Sequence, residues 1–294
     1  MVFLKKLSLV KLMTSMTIFG SIGVFVRFIP AERGMIAMLR GLIGAAVLLL
    51  FMLAVKKSPS FSAIKKNLPL LIFSGAAIGF NWILLFESYS YTTVAVSTLC
   101  YYMAPVFVIL ASPIFTSERL SPKKILCVLA SLVGMLLVSG VLEGGEMESG
   151  AVIGIILALG AAIFYASVTI MNKRMREIDS YDMTVCQLFF AAVVIAPYTL
   201  LAEENKVADF DLTVVALIIV VGVVHTGIAY LLYFSSVKEL DAQTVAVFSY
   251  IDPIVAIILS IFVLEEPTTP LVIFGAVIIL SSTLVSELNL PKRS

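Results

Sequence analysis

Charged and histidine side chains are scarce in this 294-residue chain, which has one histidine, one tryptophan and three cysteines. Charged residues make up 13% of the sequence, about half of the roughly 25% that soluble globular domains carry. Hydrophobic residues reach 61%, and the mean hydropathy is +1.09. This composition excludes a soluble globule and predicts a protein whose solvent is a lipid bilayer. A single histidine and the lack of a Cys-x-x-Cys pair also argue against a metal site.

Sequence motifs of nucleotide and hydrolytic chemistry are missing as well. There is no Gly-x-x-x-x-Gly-Lys-Ser/Thr loop, which excludes ATP-driven transport within this chain. There is neither His-Glu-x-x-His nor Gly-x-Ser-x-Gly, which argues against an intramembrane enzyme built on Asp252, His225 and serines. A receptor-like or scramblase role is disfavoured further. Polar residues in the apolar runs are too sparse for the continuous polar pore of a channel. We therefore predict no catalytic residue, no cofactor and no nucleic-acid partner.

Long apolar runs recur along the chain, each close to the roughly 20 residues that cross a bilayer as a helix. Helices are expected because lipid offers no partner to unpaired backbone groups, and the alternating pattern of barrel strands is missing. The sequence thus predicts an all-α membrane protein with ten transmembrane helices. The predicted spans cover about residues 9–28, 34–55, 68–88, 92–116, 123–142, 150–172, 183–202, 212–234, 242–263 and 270–287. The first run is long enough to span and lacks an obvious cleavage site, so we expect a transmembrane helix rather than a cleaved signal peptide.

Basic residues are distributed unevenly between the predicted loops. Of the 20 Lys and Arg residues, Arg40 lies inside a span, and only Arg27, Arg33 and Lys206 lie in predicted outer loops. The others fall in the terminal segments and in the loops on the side of the N-terminus. Because cytoplasmic loops carry the excess of Lys and Arg, this bias predicts that both termini are cytoplasmic. We expect a multi-pass protein of the cell membrane.

A segment near the middle of the chain is repeated near its end. The stretch Leu99–Pro122 aligns with Val247–Pro270 at an offset of 148 residues. The identical pairs are Tyr102 and Tyr250, Pro105 and Pro253, Ile109 and Ile257, Ser112 and Ser260, Glu118 and Glu266, and Pro122 and Pro270. Because five spans per half is an odd number, the second half enters the membrane from the opposite side. The repeat predicts two inverted five-helix units, residues 1–145 and 146–294, and transport by alternating access.

The core of each repeat is an aromatic-x-x-Pro block followed by an acidic residue at the helix end. Its residues are Tyr102, Pro105 and Glu118, then Tyr250, Pro253 and Glu266, with Arg40 early in the second span. This pattern over ten spans resembles the drug/metabolite transporter superfamily, EamA type. The resemblance covers essentially the whole chain. It implies a small-molecule carrier, usually an exporter, whose central cavity is lined by helices of both halves.

Asp252 is the sharpest candidate for a functional group inside a span, because a carboxylate is costly in hydrocarbon. It lies near the middle of the ninth span and directly precedes Pro253, which we expect to break the helix as Pro105 does in the fourth span. A carboxylate beside a broken helix can bind a proton, a cation or a substrate amine. A structural aspartate bonded to a neighbouring helix or paired with an arginine is the alternative.

Arg40 lies some six residues into the second span, where it also needs an anion. Asp252, Glu87 or a substrate carboxylate could serve, and a fold-stabilising role is the alternative to substrate contact. Asn81 and Trp82 in the third span are candidates for the cavity wall, although Trp82 could instead be an anchor at the membrane interface. Glu87, close to the outer boundary, is either a coupling group or simply solvated.

Tyrosines are numerous in the spans, and their rings can hold apolar groups or organic cations. The substrate-binding candidates among them are Tyr101, Tyr102, Tyr165, Tyr230 and Tyr250. Tyr102 and Tyr250 each lie about one helical turn before a proline, where a cavity wall and ordinary helix packing are both open. His225, the single histidine, is either a proton relay or a residue bonded to a neighbouring helix.

These residues together predict a secondary transporter that exports small organic metabolites, such as amino acids or related amines, by alternating access. The alternative is a carrier or facilitator of organic cations, such as quaternary ammonium compounds, in an aromatic cavity. Protons or another ion could couple transport through Asp252, Glu87 or His225. The expected partners are the substrate and the bilayer, and the protein is expected to be a monomer or a homodimer.

Overall fold

The regular elements of the protein are helices throughout the residues that the structure describes. The computed structural model describes residues 2–115, 121–138, 142, 149–201, 211–237, 239–240 and 242–287. The N-terminal helices are α1 (Val2–Phe28), α2 (Arg33–Ala54), α3 (Phe61–Tyr91), α4 (Val94–Tyr101), α5 (Ala104–Phe115) and α6 (Pro122–Val138). The C-terminal helices are α7 (Ser149–Arg174), α8 (Ser180–Leu201), α9 (Leu212–Val220), α10 (Ala229–Val237), α11 (Ala242–Ser249), α12 (Ile251–Phe262) and α13 (Pro270–Glu287). A π-helical segment, Val221–Ile228, joins α9 to α10.

Among the described residues, seven helical stretches are long and apolar enough to cross a membrane. They are Lys6–Phe28, Arg33–Ala54, Phe61–Tyr91, Val94–Ala111, Gly150–Arg174, Ser180–Leu201 and Leu212–Ser236. Ile251–Phe262 and Pro270–Ser286 are apolar but shorter. The prediction of an all-helical membrane protein is confirmed for the described residues, and the count of ten spans stays a prediction.

Two of the predicted spans are interrupted beside the paired prolines. The fourth span divides into α4 and α5 around Tyr102 and Met103, and the ninth divides into α11 and α12 at Tyr250. Pro105 is the second residue of α5, and Pro253 is the third residue of α12. In the first turn of a helix the missing N–H of proline would have no intrahelical partner, so proline is tolerated there. Each interruption therefore comes just before its proline and brings two helix ends into the bundle.

The larger apolar core lies where α2, α3, α8 and the π-helical segment meet. α3 packs against α7 and α8, α2 packs against α8 and the π-helical segment, and α1 packs against α10 and α12. Fully buried side chains of this core include Ile36, Leu48, Phe86, Leu188 and Ile195. Large apolar side chains such as Phe73, Leu126 and Phe274 remain exposed on the outer faces of the helices. An exposed apolar surface of this kind is what contact with lipid requires.

Helices α6 and α13 form a second, close pair. A Cβ atom added to Gly275 would lie 2.7 Å from the carbonyl oxygen of Gly134, and one added to Gly134 would lie 2.9 Å from that of Gly275. The hydroxyl oxygens of Ser131 and Ser282 lie 2.7 Å apart across the same contact. Small residues on both helices therefore allow the two backbones to touch.

The loop between α7 and α8 is tied to the first turns of α3. Asn67 Nδ2 donates to the carbonyl oxygen of Arg176 at 3.0 Å, and the backbone N–H of Arg176 donates to Asn67 Oδ1 at 3.2 Å. Lys66 Nζ lies 2.7 Å from Glu177 Oε2. The hydrogen bond and charge of Lys66 hold the pKa of Glu177 below its ordinary value. These contacts fix the loop on the predicted cytoplasmic side.

Candidate functional site

A cavity of about 650 Å³ lies among α1 to α5, α7 and α10 to α12. All the side chains that the sequence singles out for substrate binding line it. They are Arg40, Asn81, Trp82, Tyr101, Tyr102, Tyr165, Tyr230, Tyr250 and Asp252. Pro105 also lines the cavity, whereas Glu87, His225 and Pro253 are not among the described residues of its wall. This placement is geometric, and the roles of these residues in binding stay predictions.

The cavity runs toward the predicted cytoplasmic side of the bundle. At that end its wall includes Lys124 at the start of α6, Lys173 near the end of α7 and Ser286 near the end of α13. At the other end its wall includes Tyr89, which is buried near the end of α3. The order of these helix ends along the chain places Lys124 and Lys173 on the side that carries most of the basic residues.

Four tyrosines form a continuous aromatic cluster on the cavity wall. The ring centroids of Tyr102 and Tyr250 lie 6.3 Å apart, so the two helix interruptions meet in space. Tyr101 lies 6.2 Å from Tyr102 and 5.5 Å from Tyr165, each with an edge-to-face ring geometry. Such a cluster presents both ring faces and hydroxyl groups to the cavity.

Asp252 lies in the first turn of α12, beside this aromatic cluster. Its carboxylate is hydrogen-bonded by the hydroxyl of Tyr102. Gly20 of α1 packs directly on the backbone of Asp252, because a Cβ atom at Gly20 would overlap the carbonyl oxygen of Asp252. Among the described residues no Lys, Arg or His forms an ion pair with this carboxylate.

Arg40 lies on α2 and is 5% exposed. Its guanidinium carbon stacks over the ring of Trp82 at 4.2 Å and lies 5.4 Å from the ring centroid of Phe86. Arg40 Nε donates to Thr226 Oγ1 at 3.2 Å. Within the described ranges neither Asp252 nor Glu87 forms an ion pair with Arg40, so neither of the expected protein anions pairs with it.

Asn81 and Trp82 connect the arginine to the tyrosines. Asn81 Nδ2 donates to the carbonyl oxygen of Ala161 at 2.7 Å and so joins α3 to α7. Its side chain also hydrogen-bonds with Tyr101. Trp82 is 7% exposed and lies under the guanidinium of Arg40, which argues against the interface anchor considered for it.

The two remaining coupling candidates lie apart from the cavity wall. His225 Nε2 lies 3.0 Å from Ser21 Oγ, and its imidazole ring packs on Phe25 at a centroid distance of 4.6 Å. His225 thus contacts the neighbouring helix α1, as expected for a residue bonded to a neighbouring helix rather than for a proton relay. Glu87 is partly buried on α3, and its carboxylate interacts electrostatically with Arg33. A coupling role for His225 or Glu87 stays a prediction.

A carboxylate that the sequence analysis used only as a repeat marker binds the N-terminus of α4. Glu266 Oε2 accepts a hydrogen bond from the backbone N–H of Val94 at 2.8 Å and another from the hydroxyl of Ser260. Ser260 Oγ in turn accepts from the backbone N–H of Ala95 at 3.3 Å. The matching residue Glu118 lies outside the described residues. The identity of Glu266 with Glu118 in the repeat marks this residue in the sequence. The sequence does not reveal its contact with Val94, which lies 172 positions away.

Arg27 adds a cation to this contact, with its Nη2 4.0 Å from Glu266 Oε1. The carboxylate of Glu266 is 8% exposed, so the contact is largely dry. It joins the segment after α12 to the start of α4 at the end of the bundle opposite Lys124 and Lys173.

Apolar membrane-spanning helices around a cavity that carries charged and aromatic side chains are typical of a multi-pass membrane transporter. The model of the EamA-like transporter family matches residues 6–140 and, separately, residues 152–287. The chain belongs to this family, and the family predicted from the sequence is confirmed.

Related proteins carry the same general description. The chain is 29% identical over 256 residues to the uncharacterized transporter YxxF of Bacillus subtilis (strain 168), covering 87% of this chain and 81% of that protein. It is 27% identical over 273 residues to an uncharacterized transporter of Archaeoglobus fulgidus, covering 92% of this chain and 93% of that protein. A solved crystal structure shares the fold with a TM-score of 0.66 at 17% identity, covering 95% of both chains.

Proposed function

We propose that this transporter carries small zwitterionic metabolites, such as amino acids, out of the cell. The observation that carries the proposal is that Arg40 and Asp252 line one cavity and, among the described residues, neither forms an ion pair. A charged side chain inside a membrane-spanning bundle is costly unless it is compensated. A substrate with one negative and one positive group compensates both.

The carboxylate of the substrate belongs at Arg40. The guanidinium stacks on Trp82 at 4.2 Å, which holds its plane, and arginine recognises a carboxylate through two parallel N–H donors. Tyr230, also on the cavity wall, lies within electrostatic reach of both Arg40 and Asp252.

The ammonium group of the substrate belongs at Asp252 and the aromatic cluster. The carboxylate of Asp252 supplies the opposite charge, and the rings of Tyr102 and Tyr250 supply faces that attract a cation. A cavity of about 650 Å³ falls in the range of roughly 300 to 1,000 Å³ that is usual for small-molecule sites. A proton and an ammonium group compete for the same carboxylate, and this competition couples export to proton entry.

Alternating access between two inverted five-helix units, residues 1–145 and 146–294, is the proposed mechanism. The family model matches each half separately, which supports the internal repeat. The helix contacts support it too, because they come in equivalent pairs. α3 packs on α7 as its counterpart α10 packs on α1, while α2 with α8 and α6 with α13 are contacts between counterparts. The cavity extends toward the predicted cytoplasmic side, and we propose that the contact of Glu266 with the start of α4 closes the opposite side in an inward-facing state.

A carrier of organic cations is the second candidate function. It is favoured by the aromatic cluster beside Asp252, since tyrosine rings and one carboxylate suffice to hold a quaternary ammonium group. In that case Arg40 stabilises the fold and touches no substrate. The two functions differ in whether the substrate needs a carboxylate.

Thermal unfolding of the purified protein with a ligand panel separates the two functions, because only ligands of the folded state raise the midpoint. The panel contains amino acids, their methyl esters, their decarboxylated amines and quaternary ammonium compounds. We expect free amino acids to stabilise the wild type more than their esters, and Arg40→Gln to remove that preference. The exposed Arg176→Gln is the matched control. Equal stabilisation by esters and amines in the wild type, unchanged in Arg40→Gln, would replace the zwitterion proposal with the organic-cation one.

A further inference from the structure

We infer that Thr226, on the π-helical segment, is a positioning residue that holds the guanidinium of Arg40 in the orientation that receives a carboxylate. This inference rests on the proposed function, in which Arg40 contacts the substrate. Thr226 itself is not in the cavity wall and acts through Arg40. The orientation that Thr226 gives to the guanidinium would make substrate recognition depend on a planar carboxylate and not on negative charge alone.

The hydroxyl of Thr226 has two partners that fix its direction. It accepts from Arg40 Nε at 3.2 Å and donates to the carbonyl oxygen of Val221 at 3.2 Å. Val221 lies five residues before Thr226, whereas a threonine in an α-helix bonds back over three or four residues. The wider π-helical turn therefore brings the carbonyl of Val221 to Thr226 and orients the hydroxyl oxygen toward α2. π-Helical turns inside longer helices are frequent at functional sites.

The packing around Thr226 leaves little room for another orientation. Thr226 is fully buried, and a Cβ atom added to Gly44, one turn after Arg40, would overlap its side chain. On the other side of the contact, a Cβ atom added to Gly222 would lie 2.6 Å from Ile43. Glycines on both elements thus allow α2 and the π-helical segment to approach closely. The guanidinium of Arg40 is held between Thr226 and the ring of Trp82.

This geometry determines which donors of Arg40 remain for a ligand. Because Nε donates to Thr226, the donors left for the cavity are those on Nη1 and Nη2. Two N–H groups in one plane match the two oxygens of a carboxylate. A rotated guanidinium would keep its charge but lose this match, so the loss of Thr226 should weaken carboxylate binding while amine binding persists.

The test uses Thr226→Val, which keeps the shape of the side chain and removes its hydroxyl, and Thr226→Ser, which keeps the hydroxyl. The ligands are an amino acid and its methyl ester, and binding is followed by the fluorescence of Trp82. Trp82 is the single tryptophan of the chain, and it stacks on Arg40. We expect Thr226→Val to lower the affinity for the amino acid about tenfold, the usual effect of losing a hydrogen bond to a charged group. The affinity for the ester should stay as in the wild type, and Thr226→Ser should restore amino-acid binding.

The controls separate positioning from folding. Thr283→Val removes a buried hydroxyl that bonds within α13, and it should leave both affinities unchanged. If Thr226→Val does not fold, Thr226→Ser is compared with the wild type instead. Because serine retains the hydroxyl, the ligand-free emission spectrum of Trp82 and the affinity for the amino acid should both equal those of the wild type. A changed spectrum and a lower affinity in Thr226→Ser would contradict the positioning role. Loss of amino-acid binding in Arg40→Gln together with wild-type binding in Thr226→Val would overturn the positioning role alone. Wild-type binding in Arg40→Gln would overturn the proposed function, and this inference with it.

Discussion

The charged residues of the cavity have neutral counterparts in the other half of the chain. Arg40 aligns with Gln187 when α2 and α8 are matched from their first residues, Arg33 and Ser180, and Asp252 aligns with Ala104 within the repeated block. The amide of Gln187 is already satisfied, because its Nε2 donates to Ser74 Oγ at 2.8 Å and to Asn172 Oδ1 at 2.7 Å. The cavity therefore has one arginine and one aspartate and not two of each. A repeat supplies the frame, and its mismatched positions supply the polarity that a zwitterion needs.

For the aspartate of the cavity, we predict that Asp252→Asn removes the response of transport to a pH gradient. The amide cannot take up and release a proton, whereas it can still hydrogen-bond with Tyr102. Downhill exchange of the substrate should persist, with an affinity about tenfold lower because the opposite charge is lost. Exchange is measured in proteoliposomes with and without an imposed gradient.

The control for this variant is Glu32→Gln, since Glu32 is exposed at the start of α2 and its side chain caps nothing. Glu32→Gln should behave as the wild type in both conditions. If Asp252→Asn keeps its full response to the gradient, then Asp252 does not carry the coupling proton.

The residues of the cavity could be found from the sequence because each is polar or aromatic within an apolar run. Asp252, Arg40 and Asn81 stand out in this way, and hydrocarbon makes such groups costly. Thr226 could not be found, because a hydroxyl in a membrane span is common and can be satisfied by its own helix. Its partner Arg40 lies 186 positions away in the sequence, and no local pattern reveals such a pairing.

Among the elements, the start of α4 has each of its first backbone donors satisfied by a side chain. Val94 N–H donates to Glu266, Ala95 N–H to Ser260, and Val96 N–H to Thr93 Oγ1. A helix N-terminus carries a partial positive charge and unpaired N–H groups, both of which favour a carboxylate. Since Glu266 and α4 belong to different halves, this cap also joins the halves on one side of the membrane.

We predict that Glu266→Gln loosens this closed side. Removal of the negative charge from the helix N-terminus costs about 0.3 to 1 kcal/mol, which corresponds to at most about a fivefold larger open population. The measurement is the labelling rate of Tyr89→Cys by a membrane-impermeant thiol reagent added from outside, with Cys100, Cys127 and Cys186 replaced. The neighbouring Glu265→Gln should leave the labelling rate unchanged. An unaltered rate in Glu266→Gln would mean that the cap does not close this side.

The contact between α6 and α13 gives a prediction about stability. Gly275→Ala places a Cβ atom 2.7 Å from the backbone oxygen of Gly134, so the two helices must separate. We expect a loss of about 1 to 3 kcal/mol in the free energy of unfolding, as is usual for overpacking. Gly150→Ala is the control because its nearest neighbours would lie 3.9 Å away. Equal thermal stability of the two variants would contradict the close contact.

Helix interruptions differ in how visible they are in a sequence. The breaks before Pro105 and Pro253 could be predicted, because proline removes a donor and clashes with the preceding turn. The π-helical segment Val221–Ile228 could not, because its apolar character lies between that of the two flanking helices. A change from α-helical to π-helical hydrogen bonding does not alter the hydropathy of the sequence. Tertiary packing against α2 therefore determines where the π-helical segment forms.

For the molecule as a whole, the two halves meet around one cavity that carries both charges. The apolar composition, the family and the paired sequence blocks indicated this architecture. The volume of the cavity and the contact of Glu266 with α4 required the structure, because they depend on contacts between distant segments. We propose that the substrate must carry both a carboxylate for Arg40 and an ammonium group for Asp252.

Counterflow in proteoliposomes tests this claim most directly. Vesicles loaded with an unlabelled amino acid take up the same labelled amino acid, and the competing solutes are its methyl ester, its N-acetyl derivative and its decarboxylated amine. We predict saturable, exchange-stimulated uptake that the free amino acid inhibits well and that its three derivatives, none of which is a zwitterion, inhibit poorly. The preference for a free carboxylate should be lost in Arg40→Gln. Equal competition by the amine or the N-acetyl derivative, with no effect of Arg40→Gln, would contradict it.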